Sequence, residues 1–429
     1  MHAPAFSISR ALLLVTLLGL APKSLAEEWP RFRGPTGMGQ TTEKDLPLTW
    51  GGESADKHEN VAWKAPLPSA VAGAKADLNQ SSPIVSAGRV FVATSHWPEG
   101  KTNKEFPEHH VACYQAEDGK LVWDKVVEPG PWLLSDLRGG YTAPTPASDG
   151  HRVYVLFGSA VLAALDFEGN LVWRKELADF KSFDVAIGAS PIVLGDKVLM
   201  LCDKNNRHSS LTAFDSKTGE VAWEIKRPDV AFAHSTPVVA EVDGKSQILV
   251  SASNAIQGLD PADGKPLWWI KTPGDACSPI YAGGLVYSDS GRGGPGIAVE
   301  PLGSGLLPPE RIKWKIDQIP EGLSSPVIVG EYLYRMHNPQ VLKSFKLASG
   351  EQAFSTRLVG ASTLASPVAT PEGRIYFASG GKSYVLKSGP ALEILATNDL
   401  GDGGHGSPAI SAGRIFLKGN TTLFAVGKK

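Results

Sequence analysis

The stretch SPIVLGDKVLMLCDKNNRHSSLTAFDSKTGEVAW, residues 190–223, holds one copy of the unit that decides the fold. It opens with a Ser-Pro pair and a short apolar run, and a Gly turn leads to a second apolar run. A third run ends at Asp215, and after a second turn Trp223 stands four residues beyond Gly219. Short apolar runs separated by Gly turns predict four antiparallel strands.

This unit occurs eight times along the chain. The prolines that open the copies are Pro83, Pro146, Pro191, Pro237, Pro279, Pro326, Pro367 and Pro408. Successive prolines are 41 to 63 residues apart, and a period of roughly 40–50 residues is typical of propellers. Residues 61–64 look like a fourth strand without a preceding three, whereas the last copy lacks a fourth strand. We therefore expect an all-β, eight-bladed β-propeller of four-stranded antiparallel blades, closed by the N-terminal strand, which removes two exposed strand edges.

Large aromatic residues stand at one position of the fourth strand in most copies. They are Trp63, Trp123, Trp173, Trp223, Trp268, Trp314 and Phe354. Neighbouring blades face each other like packed sheets about 10 Å apart, and a large flat ring fills the gap between them. We interpret these residues as structural contacts that dock one blade on the next.

The first 26 residues have the pattern of a secretory signal peptide. Arg10 precedes an apolar run over 11–20, and Ser24-Leu25-Ala26 resembles a cleavage site. We assign 1–26 to the signal peptide, 27–59 to an N-terminal segment and 60–429 to the propeller. The residue directly after the predicted cleavage site is Glu27 and not Cys, so we expect no lipid anchor and a location in solution in the periplasm or outside the cell.

Charge and cysteine content exclude some partners and leave one question open. Without Arg10 and Lys23, 40 basic residues stand against 44 acidic ones, and this balance argues against nucleic acid and against an anionic membrane. Cys113, Cys202 and Cys277 are far apart in the sequence. The sequence does not decide whether any pair forms a disulfide; we expect three buried, small apolar residues.

The repeat Ser-Pro-(Ile/Val)…Gly…Asp…Gly…Trp resembles the tryptophan-docking repeat of the pyrroloquinoline-quinone-like (PQQ-like) propellers, over residues 60–429. The stretch Trp29-Pro30-Arg31-Phe32-Arg33-Gly34-Pro35 is similar to the opening of secreted members common in planctomycetes. The resemblance implies two contrasting models. Quinoprotein dehydrogenases are enzymes, whereas BamB is a non-catalytic lipoprotein of the outer-membrane assembly machine.

The enzyme model requires features that this sequence does not show. In that family the quinone is clamped by a Trp and often by two adjacent cysteines, calcium is held by carboxylate and amide oxygens, and an Asp acts as base. The sequence has no Cys-Cys pair and no CxxCH, and no calcium ligand set aligns. We predict no catalytic residue and no metal ligand.

The sequence resembles this family but lacks the features that its enzymes need. We therefore expect a non-catalytic propeller that binds or scaffolds another macromolecule. The expected partner of this monomer is a periplasmic or extracellular protein, or a polysaccharide. Two alternatives stay open: a dehydrogenase that oxidises an alcohol or sugar with PQQ and calcium, and a carbohydrate-binding propeller in which Trp97, Trp132 and Tyr141 stack on sugar rings.

Loop lengths predict which face of the propeller carries the site. Turns between strands one and two and between strands three and four are short, and they define the tight-turned face. The loops between strands two and three, and between blades, are longer and define the elaborated face, where binding residues are expected. Residue types enriched at binding surfaces and polar residues near the channel mouth give the predicted binding surface: Trp132, Arg138, Tyr141, Arg207, His234, Arg292 and His405. Asp275 and Asp402 are placed similarly to His234 and His405.

A group of histidines occurs in the first copy. His96, His109 and His110 lie in a predicted insertion over 95–110, and their spacing matches no known metal-binding pattern. We interpret them as part of a solvated loop.

Overall fold

The fold follows the repeat. A computed structural model describes residues 27–51, 59–177, 188–204, 208–272 and 276–428; the predicted signal peptide lies outside them. Eight sheets form eight blades, and within each blade the four strands pair in an antiparallel meander. The expected all-β, eight-bladed propeller is therefore confirmed.

The strands of the first four blades are short, like the apolar runs that form them. The N-terminal and first-blade strands are β1 (Val61–Pro66), β2 (Lys75–Ala76), β3 (Ile84–Ser86), β4 (Arg89–Trp97), β5 (Glu108–Gln115) and β6 (Leu121–Val127). The second blade contains β7 (Ala147–Ser148), β8 (Arg152–Phe157), β9 (Val161–Asp166) and β10 (Leu171–Glu176). The third contains β11 (Ile192–Leu194), β12 (Lys197–Cys202), β13 (Ser210–Asp215) and β14 (Val221–Lys226). The fourth contains β15 (Val238–Val242), β16 (Lys245–Ala252), β17 (Ala255–Leu259) and β18 (Pro266–Lys271).

The last four blades continue the same order. The fifth contains β19 (Ile280–Ala282), β20 (Leu285–Asp289), β21 (Gly296–Val299) and, after β22 (Gly305–Leu306) and a 3₁₀ turn (Pro309–Arg311), β23 (Ile312–Ile316). The sixth contains β24 (Val327–Val329), β25 (Tyr332–His337), β26 (Val341–Lys346) and β27 (Gln352–Arg357). The seventh contains β28 (Val368–Ala369), β29 (Arg374–Phe377), β30 (Gly380–Lys387) and β31 (Glu393–Gly403). The eighth contains β32 (Ala409–Ser411), β33 (Arg414–Lys418) and β34 (Thr422–Val426).

The N-terminal strand supplies the missing fourth strand of the eighth blade. β1 pairs antiparallel with β34, with Trp63 opposite Ala425 and Ala65 opposite Leu423. This pairing joins the two ends of the chain in one sheet and closes the ring, as expected from the strand count.

The repeated Trp and Gly form the contact between neighbouring blades. Trp173 of the second blade donates its indole N–H to the carbonyl oxygen of Ser216 in the third blade (3.0 Å), and its ring lies on Gly219. Gly219 has φ +69°, and a Cβ there would lie 2.7 Å from the ring, so this turn requires glycine. The same ring-on-glycine contact joins Trp63 to Gly119, Trp123 to Gly169, Trp223 to Gly264 and Trp314 to Gly350.

Two of the seven aromatic positions make other contacts. Trp268 donates to the side-chain oxygen of Gln247 within its own blade (2.8 Å). The long turn of the fifth blade places β22 alongside β18 in parallel, which accounts for the departure. Phe354 packs on Tyr334, with ring centroids 6.2 Å apart.

The N-terminal segment crosses the end of the channel on the tight-turned face. The carbonyl oxygen of Pro30 accepts from Ser148 of the second blade (2.8 Å), and Gln40 donates to Ile328 of the sixth blade (3.0 Å). These blades are opposite each other in an eight-membered ring, so the segment between them must pass over the axis. Further along, the Glu43 carboxylate accepts from Ala412 of the eighth blade (2.9 Å).

The cysteines are buried, and in the described part of the chain no disulfide joins them. Among the described residues, no helix has the length and apolar character needed to cross a membrane.

Candidate functional site

A cavity of about 790 Å³ occupies the channel, within the range of about 300–1,000 Å³ that ligand sites usually have. All eight blades contribute to its wall. The lining includes Phe32, Asp136, Arg138, Phe232, His234, Arg292, Glu321, Leu323 and His405, together with nine Ser and Thr residues. Because most of these residues lie in loops between blades, the cavity opens on the elaborated face.

Eight of these nine hydroxyl residues precede the repeat prolines, and the ninth is Ser253. The eight are Ser82, Thr145, Ser190, Thr236, Ser278, Ser325, Ser366 and Ser407. The backbone N–H of each one donates to the hydroxyl oxygen in the next blade, at 2.8 to 3.1 Å, and Ser407 donates to Ser82. These eight hydrogen bonds form a closed ring around the axis, which we call the hydroxyl ring.

The local sequence explains the geometry of the hydroxyl ring. A residue before proline is restricted to extended backbone, so each Ser or Thr enters its innermost strand in the same conformation. Each hydroxyl oxygen accepts a hydrogen bond, and in the described residues none of the eight donates to a protein acceptor. A hydroxyl group can do both, so eight O–H donors remain for a ligand in the cavity.

The floor of the cavity comes from the N-terminal segment. Phe32 lies between Pro30, bonded to the second blade, and Arg33, whose guanidinium donates to the carbonyl oxygen of Pro326 in the sixth blade. Its half-buried ring lines the cavity. The channel is therefore a blind pocket with one open end, rather than a pore.

One charged pair and one imidazole of the wall have hydrogen-bond partners within the protein. Arg138 forms a double hydrogen bond with Asp136 (Nε–Oδ2 2.8 Å and Nη2–Oδ2 2.6 Å). His234 accepts from the N–H of Gly188 (2.9 Å), and burial, with the nearby positive charge of Arg292, lowers the pKa of His234 to about 3. Both effects disfavour imidazolium, so His234 is neutral at physiological pH.

His405 has a similar environment. Burial, together with the nearby charge of Lys418, lowers its pKa. Lys418 is itself buried, and its ammonium group donates to the Ser81 hydroxyl (2.8 Å) and to the carbonyl oxygen of Ala93 (3.2 Å). Burial lowers the pKa of Lys418 to about 7, although the charge of Asp77 opposes this shift.

Four of the predicted binding residues, Arg138, His234, Arg292 and His405, line this one cavity. Trp132 and Tyr141 do not; both are buried and help to pack the loop after β6. Arg207 and Asp275 lie outside the described residues. The carboxylate of Asp402 accepts hydrogen bonds from the backbone N–H groups of Thr421 and Thr422 after β33 (3.0 and 2.8 Å). This carboxylate therefore has donors within the protein and needs no ligand to satisfy it.

The aromatics proposed for sugar stacking pack against each other. Trp97 and Tyr141 have ring centroids 6.1 Å apart, and Trp97, Trp132 and Tyr141 are each at most 6% exposed. None presents a free ring face. The aromatic residues that reach the cavity are Phe32 and Phe232; sequence reasoning did not assign them to the site.

The interpretation of the first-copy histidines as a solvated loop is wrong. His96 lies in β4, and His109 and His110 lie in β5. All three are buried. His109 bonds to the hydroxyls of Ser95 and Ser159 (2.9 and 2.8 Å), and burial, with a smaller effect of His110, lowers its pKa to about 3. The loop itself is confined to residues 98–107.

The cavity wall is a poor match for calcium and PQQ. Calcium takes six to eight oxygen ligands, several of them from carboxylates, whereas the lining supplies Asp136, which is engaged by Arg138, and the exposed Glu321. No Trp is among the described lining residues. The donors present suit a ligand rich in hydrogen-bond acceptors.

Comparison with known proteins identifies the family. Residues 107–356 match the family model described as outer membrane protein assembly factor BamB, and the chain belongs to this family of PQQ-like propellers. No curated protein matches the sequence.

Solved structures share the fold at low sequence identity. BamB from Moraxella catarrhalis is 15% identical, with a TM-score of 0.58, over 85% of this chain and 98% of that chain. A europium-containing methanol dehydrogenase is 11% identical, with a TM-score of 0.67, over 93% of this chain and 89% of that chain. A BamB and a methanol dehydrogenase thus share this architecture, so function must be argued from the site.

Proposed function

We propose that this protein is an exported, non-catalytic propeller that holds a segment of another macromolecule in the blind pocket on its elaborated face. The observation that carries the proposal is the hydroxyl ring, which directs eight O–H donors into a cavity closed at its other end. A closed end and a rigid wall suit a ligand that enters from one side and stays bound.

The chemistry of the wall supports a ligand rich in carbonyl or carboxylate oxygens. Arg138 and Arg292 are balanced by Asp136 and Glu321, so net charge contributes little to selection. The hydroxyl donors are held by backbone hydrogen bonds from neighbouring blades, and binding therefore costs little side-chain ordering. An extended peptide has a carbonyl oxygen at every residue and fits this donor set.

The family supports a protein as the partner, since its model is described as an outer membrane assembly factor. The signal-peptide pattern supports an encounter in the periplasm or outside the cell. A polysaccharide, which also offers oxygen acceptors, is the competing partner.

Site-specific photocrosslinking tests the location and the chemistry of binding together. A photoreactive residue replaces Leu323, which is half-buried in the cavity wall. The matched control replaces Lys217, which is exposed in the β13–β14 turn on the tight-turned face. We expect a discrete, protease-sensitive product in intact cells from position 323 and none from position 217.

Equal products from both positions, or none from position 323, would refute binding in the pocket. A product that resists protease but is cleaved by glycosidases would identify a polysaccharide instead.

Calorimetric titration with PQQ, with and without Ca²⁺, tests the enzymatic alternative. We expect neither heat nor a change in melting temperature. Calcium-dependent binding near micromolar would overturn the non-catalytic assignment and justify an alcohol and sugar substrate screen.

A further inference from the structure

Three metal-ligating side chains meet on one face of the first blade, outside the pocket. His96 of β4 lies directly opposite Glu108 of β5, and His110 follows two residues after Glu108. Because side chains alternate along a strand, all three lie on the same face of the sheet. One ligand atom from each is within 4.8 Å of the other two.

The distances are close to those of a coordination sphere. Glu108 Oε2 lies 3.4 Å from His110 Nε2 and 3.8 Å from His96 Nε2, and the two imidazole rings stack with centroids 4.9 Å apart. Ligands about 2.0–2.1 Å from a tetrahedral zinc ion are roughly 3.3 Å from each other. The two distances to Glu108 exceed that spacing by no more than about 0.5 Å.

Asp124 of β6 orients one of the imidazoles. Its carboxylate lies 2.9 and 3.0 Å from His110 Nδ1. This contact places a proton on Nδ1 and turns Nε2 toward Glu108, as carboxylate partners of metal-binding histidines do. The Nε2 of a neutral His110 then faces the Glu108 carboxylate, 3.4 Å away, and a proton or a metal cation can lie between these two acceptors.

The second imidazole also lacks a full set of partners. His96 is 4% exposed, its Nδ1 has no hydrogen-bond partner in the described part of the chain, and its Nε2 is too far from Glu108 for a hydrogen bond. Buried polar groups are normally paired. Glu108, with half of its side chain exposed, gives the cluster access to solvent.

We propose that His96, Glu108 and His110 form a binding site for a divalent transition metal of the zinc type, with Asp124 as positioning residue. Two imidazoles and one carboxylate suit Zn²⁺, Co²⁺ or Ni²⁺ and do not suit Ca²⁺ or Mg²⁺, which prefer oxygen. The ion would join the end of β4 to the start of β5, at the base of the 98–107 loop.

Calorimetric titration of the untagged, EDTA-treated protein with ZnCl₂ tests the site. We expect one equivalent bound at micromolar affinity or tighter, and no heat with MgCl₂. Titration with CoCl₂ is expected to produce visible absorption bands of an imidazole-coordinated ion. No saturable zinc binding by the wild-type protein would overturn the proposal.

Variants assign the ligands. We expect His110→Gln and Glu108→Gln to weaken zinc binding, the first by at least 100-fold, and Asp124→Asn to weaken it by roughly 10–100-fold. His151→Gln, in an exposed turn of the second blade, is the matched control and keeps wild-type affinity. If folded Glu108→Gln and His110→Gln both bind zinc with wild-type affinity, the ion is bound elsewhere. Because Glu108 is exposed, its variant should fold, and it tests the site even if His110→Gln does not fold.

Discussion

Thr236→Val tests whether the hydroxyl ring stabilises the propeller. Thr236 is 3% exposed, and its hydroxyl oxygen accepts the N–H of Ser190, 3.0 Å away in the preceding blade. Valine has nearly the same shape but no acceptor. The Ser190 N–H would be left buried and unpaired, which costs about 1–3 kcal/mol, while the bond from the Thr236 N–H to Ser278 remains.

Thr236→Ser is the matched control because it keeps the oxygen and removes one methyl group, worth about 0.8 kcal/mol. The measurement is urea unfolding followed by circular dichroism and by tryptophan fluorescence, since coincident transitions are needed before midpoints become free energies. We expect the valine variant to be the less stable of the two. Equal stability would show that the Ser190 N–H finds another partner and that the hydroxyl ring does not hold the blades together.

Three further predictions concern blade contacts, pH and closure. Gly219→Ala forces a Cβ into the Trp173 ring and should lower the free energy of unfolding by more than the roughly 1–2 kcal/mol of left-handed strain. Gly150→Ala is the control: Gly150 is also at positive φ, but open space surrounds it, so this variant reports the strain alone in the same urea assay. Burial lowers the pKa of Lys418 from 10.5 to about 7 in the folded protein, so the unfolded chain binds the extra proton between these values. The free energy of unfolding should therefore contain a component that rises between about pH 7 and 10.5. The Lys418→Met variant should lack this component when both proteins are unfolded by urea at a series of pH values across that range. Deleting residues 27–66 removes β1 and should cause aggregation in size-exclusion chromatography; a monomer with an unchanged melting temperature would contradict closure by β1.

The candidate site was only partly predictable. The positions of His234 and His405 shortly before a repeat proline predict a place near the channel mouth, and both residues line the cavity. Trp132 and Tyr141 were chosen by residue type, which does not distinguish an exposed anchor from a side chain that packs beneath its own loop.

The cluster of His96, Glu108 and His110 illustrates a second limit. Its members are separated by 12 and 2 residues, which matches no local motif. They meet because β4 and β5 pair in a register that follows a ten-residue loop, and a slip of one residue would turn one histidine to the other face.

The sequence by itself determined the blades, their number and their closure. Strand alternation, Gly turns and the Trp four residues after a glycine are local patterns, and each blade repeats the same order of strands and turns. Tertiary structure alone decided that eight hydroxyls form one ring, that Phe32 closes the pocket and that a carboxylate lies beside two stacked, buried imidazoles. These contacts join residues of different strands, blades and chain ends, and their geometry depends on how complete sheets pack around the axis.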